Sequence, residues 1–436
     1  MWYLLRPSEF LRRSLTIDPQ PNAGSQPEDG TAKAAFVFLV ISAFINSTGI
    51  GLTTPVMPAL LMELSGGDLA GASRWGGLAL VVYALMQFIF APIVGALSDR
   101  YGRRPVLLIS LAAFAVDMLI LGVVGTLWGF ILLRAFAGIF ASTFSTINAY
   151  VSDVTPAAQR GTRFAMLGAA FGAGFICGPA IGGLLGNIDV RLPFYAGAAI
   201  AMGNVLFGYF VVRESLPQGR RRPFEWARAN TIGTLLRLFR TPGVGRLLPV
   251  FFLATLSTWV YPTVWSYVAI EKFAWSEAYV GYSIAYYGVI AFIAQALVVQ
   301  VLLPRIGVKT AVIVALAVEA IALTGIGIAS AGWFVYAMVT LALVSVMQDP
   351  ALRQDMSARV AEDAQGELQG GLSALVSVAM ILSPIVYMGL FTVNADDSGV
   401  YFPGSPFVAA AVFSLIAMIA YVMASRHYKS EANAET

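Results

Sequence analysis

Apolar residues fill this chain in long unbroken runs, and short polar stretches separate them. A membrane-spanning helix needs about 20 mostly apolar residues. Runs of that kind lie near 34–61, 75–97, 105–124, 127–151, 163–186 and 192–212. A second set lies near 247–270, 277–303, 308–329, 333–352, 367–391 and 406–425. The pattern predicts an all-α membrane protein with two sets of six spanning helices. Between the sets runs a basic segment, 213–246, with Arg220, Arg221, Arg222, Arg228, Arg237 and Arg240 and few apolar runs. This reads as a linker joining an N-terminal half, 34–212, to a C-terminal half, 247–426, with a short tail at 427–436. Residues 1–33 read as a leader. Its first part carries Trp2, Leu4, Leu5, Phe10 and Leu11 among Arg6, Arg12 and Arg13, and is too short and too charged to span. An amphipathic surface helix and an unstructured tail are both open for it.

The cations set an orientation. With the N-terminus inside, the inner segments hold Arg100, Arg103, Arg104, Arg160, Arg163, the linker arginines, Arg305, Lys309, Arg353, Arg359, Arg426 and Lys429. The outer loops keep Arg74, Arg191 and Lys272. The positive-inside rule then places both termini in the cytoplasm. Trp75, Trp128, Trp275 and Trp333 fall near the outer ends, where interfacial aromatics belong.

Composition narrows the function. Hydrophobic residues make up 58% of the 436 and charged ones only 12%, against roughly 25% charged in a soluble domain. Lipid is therefore the expected solvent. The net charge of +3 is scattered between apolar runs, so no nucleic-acid partner is expected. The single cysteine, Cys177, excludes an intrachain disulfide framework. The single histidine, His427, lies close to the C-terminus, and no metal site is expected. No Walker loop is present to cradle a nucleotide, and no catalytic constellation is visible. The chain is expected to be neither an enzyme nor cofactor-dependent, and an ion gradient is left as its energy source.

The loop after the second span carries the densest motif: Gly95, Asp99, Arg100, Gly102, Arg103, Arg104 and Pro105. The glycines permit close packing and a tight turn. Asp99 and the arginines can latch one side of a bundle by ion pairs and by a helix N-terminal dipole. Asp153, at the inner end of the fourth span, is a further partner for Arg103 or Arg104.

Within the spans three charges stand out, because such residues are costly in hydrocarbon and face a cavity or a partner. Asp117 lies midway along the third span, Glu319 midway along the ninth, and Arg134 about two turns into the fourth. The two acids occupy the third of six spans in each half, where repeated halves place midplane sites. A proton-coupled carrier needs a group that binds a proton on one side and releases it on the other. A carboxylate in a low-dielectric cavity is suited to that, and a permanently charged arginine can modulate it. A structural interhelical pair is the competing role for each. Asn46, Gln87 and Gln295 are candidate substrate contacts or structural hydrogen bonders. Trp259, Tyr261 and Trp265 can stack on an aromatic substrate or pack in the core.

The 95–104 loop resembles the signature of the major facilitator superfamily. Leu133-Arg134 to Gly138 resembles the arginine motif of that family's fourth helix. Gly174, Gly178, Pro179, Gly182 and Gly183 resemble its fifth-helix motif, which marks the proton-antiporting exporters. Tyr83 to Pro92, Leu167 to Gly172, Pro262 to Trp265, Phe273 to Trp275 and Gln365 to Gly370 are similar to the tetracycline-resistance exporters, over about residues 35–425. The resemblance implies a twelve-helix fold around a central cavity and alternating access. It also implies Asp117, Arg134 and Glu319 as coupling residues, and Gly174 to Gly183 as packing and bending elements.

Two departures bear on substrate. Those exporters carry an acid in the first helix, where this chain has Asn46-Ser-Thr-Gly-Ile-Gly51. They carry a histidine in the eighth helix, where the stretch Gly288 to Gln295 has none. A magnesium–tetracycline chelate needs hard oxygen or basic ligands, so weak, magnesium-independent tetracycline transport is expected. Proton-coupled efflux of a small amphiphilic compound by a monomer in the cytoplasmic membrane is thus the expected function. Import of a metabolite and a non-transporting receptor are the alternatives.

Overall fold

A computed structural model describes residues 30–434 except 142, 222–230, 242, 362, 363 and 396–399. Most of the leader, linker residues Arg222 and Arg228, and the side chains of the tail beyond Ser425 lie outside the described residues. Among the described residues, eleven helices are long and apolar enough to cross a membrane. The fourth span completes the set as two shorter pieces, Leu127–Ile139 and Thr143–Val154. The chain is a multi-pass membrane protein.

Local breaks follow from the residues. The first helix, Gly30–Thr53, stops short of the expected 61, and a separate helix, Met57–Ser65, follows. Pro55 and Pro58 lie at the break, and neither has an N–H to continue the ladder. The seventh span breaks at Trp259 between Leu248–Thr258 and Val260–Phe273. Pro262, three residues on, leaves the Thr258 carbonyl without its helical donor. The tenth span tightens to a 3₁₀ segment over Ala342–Met347, just before Pro350. The eighth span widens to a π segment over Gln295–Leu302. The linker, expected to be short of apolar structure, contains a helix, Thr231–Arg240. This helix seats Leu238 where a Cβ on Gly371 of the eleventh span would stand, and Arg237 pairs with Glu367 at 2.6 Å.

The fifth span, Ala157–Gly186, is held between the first and the eighth. A Cβ on Gly174 would strike Ser47 and the Phe44 carbonyl, and one on Gly182 the Leu52 backbone. One on Gly178 would stand 2.5 Å from the Thr48 carbonyl. Three glycines at helical spacing thus let the fifth span lie directly on the first. On its other side Gly183 abuts Glu277 and Ala278 at the start of the eighth span, and Gly281 abuts the Pro179 carbonyl. The glycine motif therefore serves both the packing of the first half and the seam between halves.

The molecule has a basic end, with Arg100, Arg103, Arg104, Arg160, Arg305 and Arg353, and a far end. At the far end the halves close on each other. Ser73 and Thr392 hydroxyls meet at 2.7 Å, Ser266 donates to the Thr54 carbonyl at 3.1 Å, and Tyr267 lies against Gly76. At the basic end Gly95, Gly168, Gly172, Gly366 and Gly370 have no neighbour within 4 Å of where a Cβ would stand. The contacts between the halves named here thus gather toward the far end.

Candidate functional site

A cavity of about 780 Å³ lies between the halves. Asn46, Gln87, Asp117, Arg134, Trp259, Tyr261 and Trp265 all line it. The third span, Arg103–Val123, brings Asp117 in from one side, where it is only 1% exposed. The first piece of the fourth span brings Arg134. One guanidinium nitrogen, Nη2, donates to both carboxylate oxygens, at 2.8 Å to Oδ1 and 2.6 Å to Oδ2. Arg134 also stands over the Phe130 ring at 5.7 Å. Its Nε and the Gln87 Oε1 are buried with no partner. A charged pair and two unsatisfied polar atoms thus lie in a mostly aromatic and aliphatic wall.

The aromatic lining is broader than sequence suggests. Phe114, Phe140, Phe171, Phe175, Tyr286 and Tyr336 join the tryptophans. The Tyr286-Tyr287 pair was the available signal, since two adjacent tyrosines in an apolar span are unusual. Trp265 is more firmly built in than Trp259. Its indole N–H donates to Ser283 Oγ at 2.8 Å, and its ring meets Trp275 and Phe407 edge-on at 5.9 Å each.

Two expected members of the site lie elsewhere. Glu319 and Gln295 line a separate pocket of about 340 Å³ inside the second half. Arg134 pairs with Asp117 alone of the two acids. Symmetry of sequence position does not bring the two carboxylates into one chamber, because the walls formed by Tyr261 and Tyr287 stand on both pockets.

The basic-end cluster is built around Arg103. Its Nη2 pairs with Asp99 Oδ1 at 2.7 Å, its Nε with Asp153 Oδ2 at 3.1 Å, and its Nη1 with Ser98 Oγ at 3.1 Å. Gly102 makes the turn with φ of 106°, a conformation L side chains rarely adopt. The acid at the helix N-terminus is not Asp99. Asp99 stands in the last turn of Leu69–Tyr101, whereas Glu214 accepts from the Arg103 N–H at 2.8 Å and the Arg104 N–H at 3.3 Å. Glu214 went unnoticed in the sequence, although an acid directly after the sixth span, opposite a cluster of arginines, is a readable signal. Arg104 donates to the Tyr209 carbonyl at 2.8 Å. Arg100 is exposed and stands over the Tyr101 ring at 5.2 Å, away from the ion pairs. Gly95 packs against nothing within 4 Å, so it is not a close-contact glycine in this state. All these contacts lie within the first half and the start of the linker.

No group of three or more His, Cys, Asp or Glu suited to a metal ion occurs among the described residues.

A membrane bundle of two six-helix halves around a central cavity, with a charged pair on its wall, is the architecture of a secondary transporter. Residues 39–384 match the model of the Major Facilitator Superfamily, and the chain belongs to that superfamily. Within it, the chain belongs with the tetracycline-resistance proteins. It is 36% identical over 373 residues to the class C tetracycline resistance protein of Escherichia coli, covering 83% of this chain and 91% of that one. It is 35% identical over 376 residues to the class D protein of Salmonella ordonez, covering 86% and 94%. Among solved structures, the nucleoside transporter NupG superposes with a TM-score of 0.72 at 14% identity, over 89% of this chain and 98% of that one. At that identity the likeness concerns the fold alone.

Proposed function

We propose that the protein is a proton-coupled exporter of a small amphiphilic compound, resembling the tetracycline-resistance exporters. The observation that carries this is the buried Asp117–Arg134 pair on the wall of a large, mostly apolar cavity. An amphiphile matches such a wall, and the pair supplies a protonatable group whose partner stays charged. When Asp117 takes a proton, its negative charge leaves the cavity wall and a substrate held by the ionised carboxylate is displaced. When the proton leaves, the charge returns beside Arg134 and substrate binds again. Substrate and proton thereby compete for one carboxylate, which is the minimum needed for antiport.

In this reading 34–212 and 247–426 rock against each other, and 213–246 tethers them. The basic end faces the cytoplasm of a cell whose inner membrane the monomer spans, with both termini inside. The state described is then inward-open. The Asp99–Arg103–Asp153 cluster waits, paired within the first half, to meet the second half when the cavity closes inside. Glu319 is a second coupling residue. Gln87, Asn46, Trp259, Tyr261 and Trp265 contact substrate. A membrane potential supplies about 2.3 kcal/mol per charge per 100 mV, and each pH unit about 1.4 kcal/mol, so one or two protons suffice to drive steep export. Uptake into inverted vesicles, with and without a pH gradient, tests the reading. Uptake indifferent to the gradient would overturn it.

A further inference from the structure

The pocket around Glu319 lies inside the second half. Glu319 is 2% exposed, and its Oε1 has no partner. The Tyr261 hydroxyl and the Gln348 Oε1 line the same pocket, are buried, and also have none. Gln348 already donates its amide to the Ala254 carbonyl at 2.9 Å, so its free oxygen is an acceptor. Ser345 stands alongside, donating its hydroxyl to the Ala342 carbonyl at 2.7 Å and lying within hydrogen-bond reach of the Glu319 carboxylate, so that only Oε1 is left unmatched. Three buried oxygens able to accept a hydrogen bond thus stand unmatched in one chamber.

The charge in the chamber is one-sided. Its lining includes two carboxylates, Glu319 and Asp349, and no lysine or arginine. Asp349 is taken up by Arg353 at 3.0 and 2.8 Å, on its exposed side. Glu319 has no such cation. Beside it Tyr261 and Tyr287 set their rings 5.0 Å apart at 31°, offering π-faces to a positive charge. The volume of about 340 Å³ is that of roughly ten waters, which is too large to grip a bare metal ion and right for an organic group. The π segment that begins at Gln295 and the 3₁₀ segment over Ala342–Met347 flank it. Irregular backbone at membrane depth is tolerated where it lines such a cavity. Tyr261 and Tyr287 also line the central cavity, so a compound held there can extend one end past them.

We propose that this pocket is a subsite for an organic ammonium group, and that the exported compounds therefore include lipophilic amines. The inference builds on the export reading only in its second part, since binding can be measured without turnover. The probe is benzylammonium, a cation whose N–H groups can meet these oxygens, with ethylbenzene as its uncharged counterpart of the same shape. Binding to the purified full-length protein is followed by calorimetry. Saturable binding of the cation is expected, weakened about tenfold or more in Glu319→Gln and in Tyr287→Leu. Tyr287→Leu retains a folded readout should Glu319→Gln be unstable. Absence of saturable binding, unchanged affinity in both variants, or equal affinity for ethylbenzene would overturn the assignment and leave the pocket to a proton alone. Normal binding in a chain that shows no pH-driven transport would sink the export reading instead, and leave the subsite standing.

Discussion

Replacing Arg134 by Met strands Asp117. The carboxylate is 1% exposed and loses both of its contacts, at 2.8 and 2.6 Å. Leaving one partner of a buried pair uncompensated costs about 3–5 kcal/mol. Removing both charges is different, since apolar side chains of similar volume in place of a buried pair are often neutral or stabilising. Asp117→Leu combined with Arg134→Met should therefore recover most of the stability lost in Arg134→Met, a coupling of about 2 kcal/mol or more between the two positions. Thermal unfolding of the purified protein in detergent, followed by tryptophan fluorescence, reads this directly. Transport should behave in the opposite way. The double variant has no titratable group at the pair, so it should be stable and inactive in pH-driven uptake. A double variant no more stable than Arg134→Met would refute the energetic reading of the pair. A double variant that transports normally would show that the pair is only an interhelical tie.

Three further outcomes follow from the same geometry. Asp99→Asn removes a pair in which the acid is 42% exposed, so it costs the state described only about 0.2–1 kcal/mol; because it also removes the contact Asp99 is proposed to make with the second half when the cavity closes inside, it should tilt the population toward the inward-open state and slow turnover, read as faster labelling of Gly370→Cys in a Cys177→Ser background, and unchanged labelling would contradict the latch. Gly178→Val forces a branched side chain onto the Thr48 carbonyl and Gly51 and should destabilise by about 1–3 kcal/mol, seen as a lower unfolding temperature, whereas the same change at Gly168, with open space around it, should be nearly silent. Asn46→Asp adds a carboxylate to the cavity wall and should strengthen binding of a cationic or metal-chelated substrate, measured as tetracycline uptake over a magnesium series; strong magnesium dependence in the unmodified protein would show that the missing acid and histidine do not matter.

The spans were legible because lipid imposes one rule on every one of them, a long apolar run. Their interruptions were less legible. The breaks at Trp259 and near Thr54 trace to prolines visible in the chain. The π segment at Gln295 has no such marker. Asp117 and Arg134 stood out as lone charges at matching depth in neighbouring spans, although the pattern left open which acid Arg134 meets. Glu319 could not be placed, because depth alone does not say which wall of a bundle a helix presents. The Asp99 loop was readable as an ion-pair cluster. The choice of Glu214 as the acid at the helix N-terminus depends on the path of the chain after the sixth span, which no local pattern encodes.

The central claim is that Asp117 carries a proton that exchanges for substrate. Purified protein in liposomes, with a pH-sensitive dye in a weakly buffered lumen, measures that exchange when substrate is added. The account predicts substrate-dependent proton movement in the unmodified protein and none in Asp117→Asn that has inserted and folded. Proton movement at the unmodified level in Asp117→Asn would contradict it.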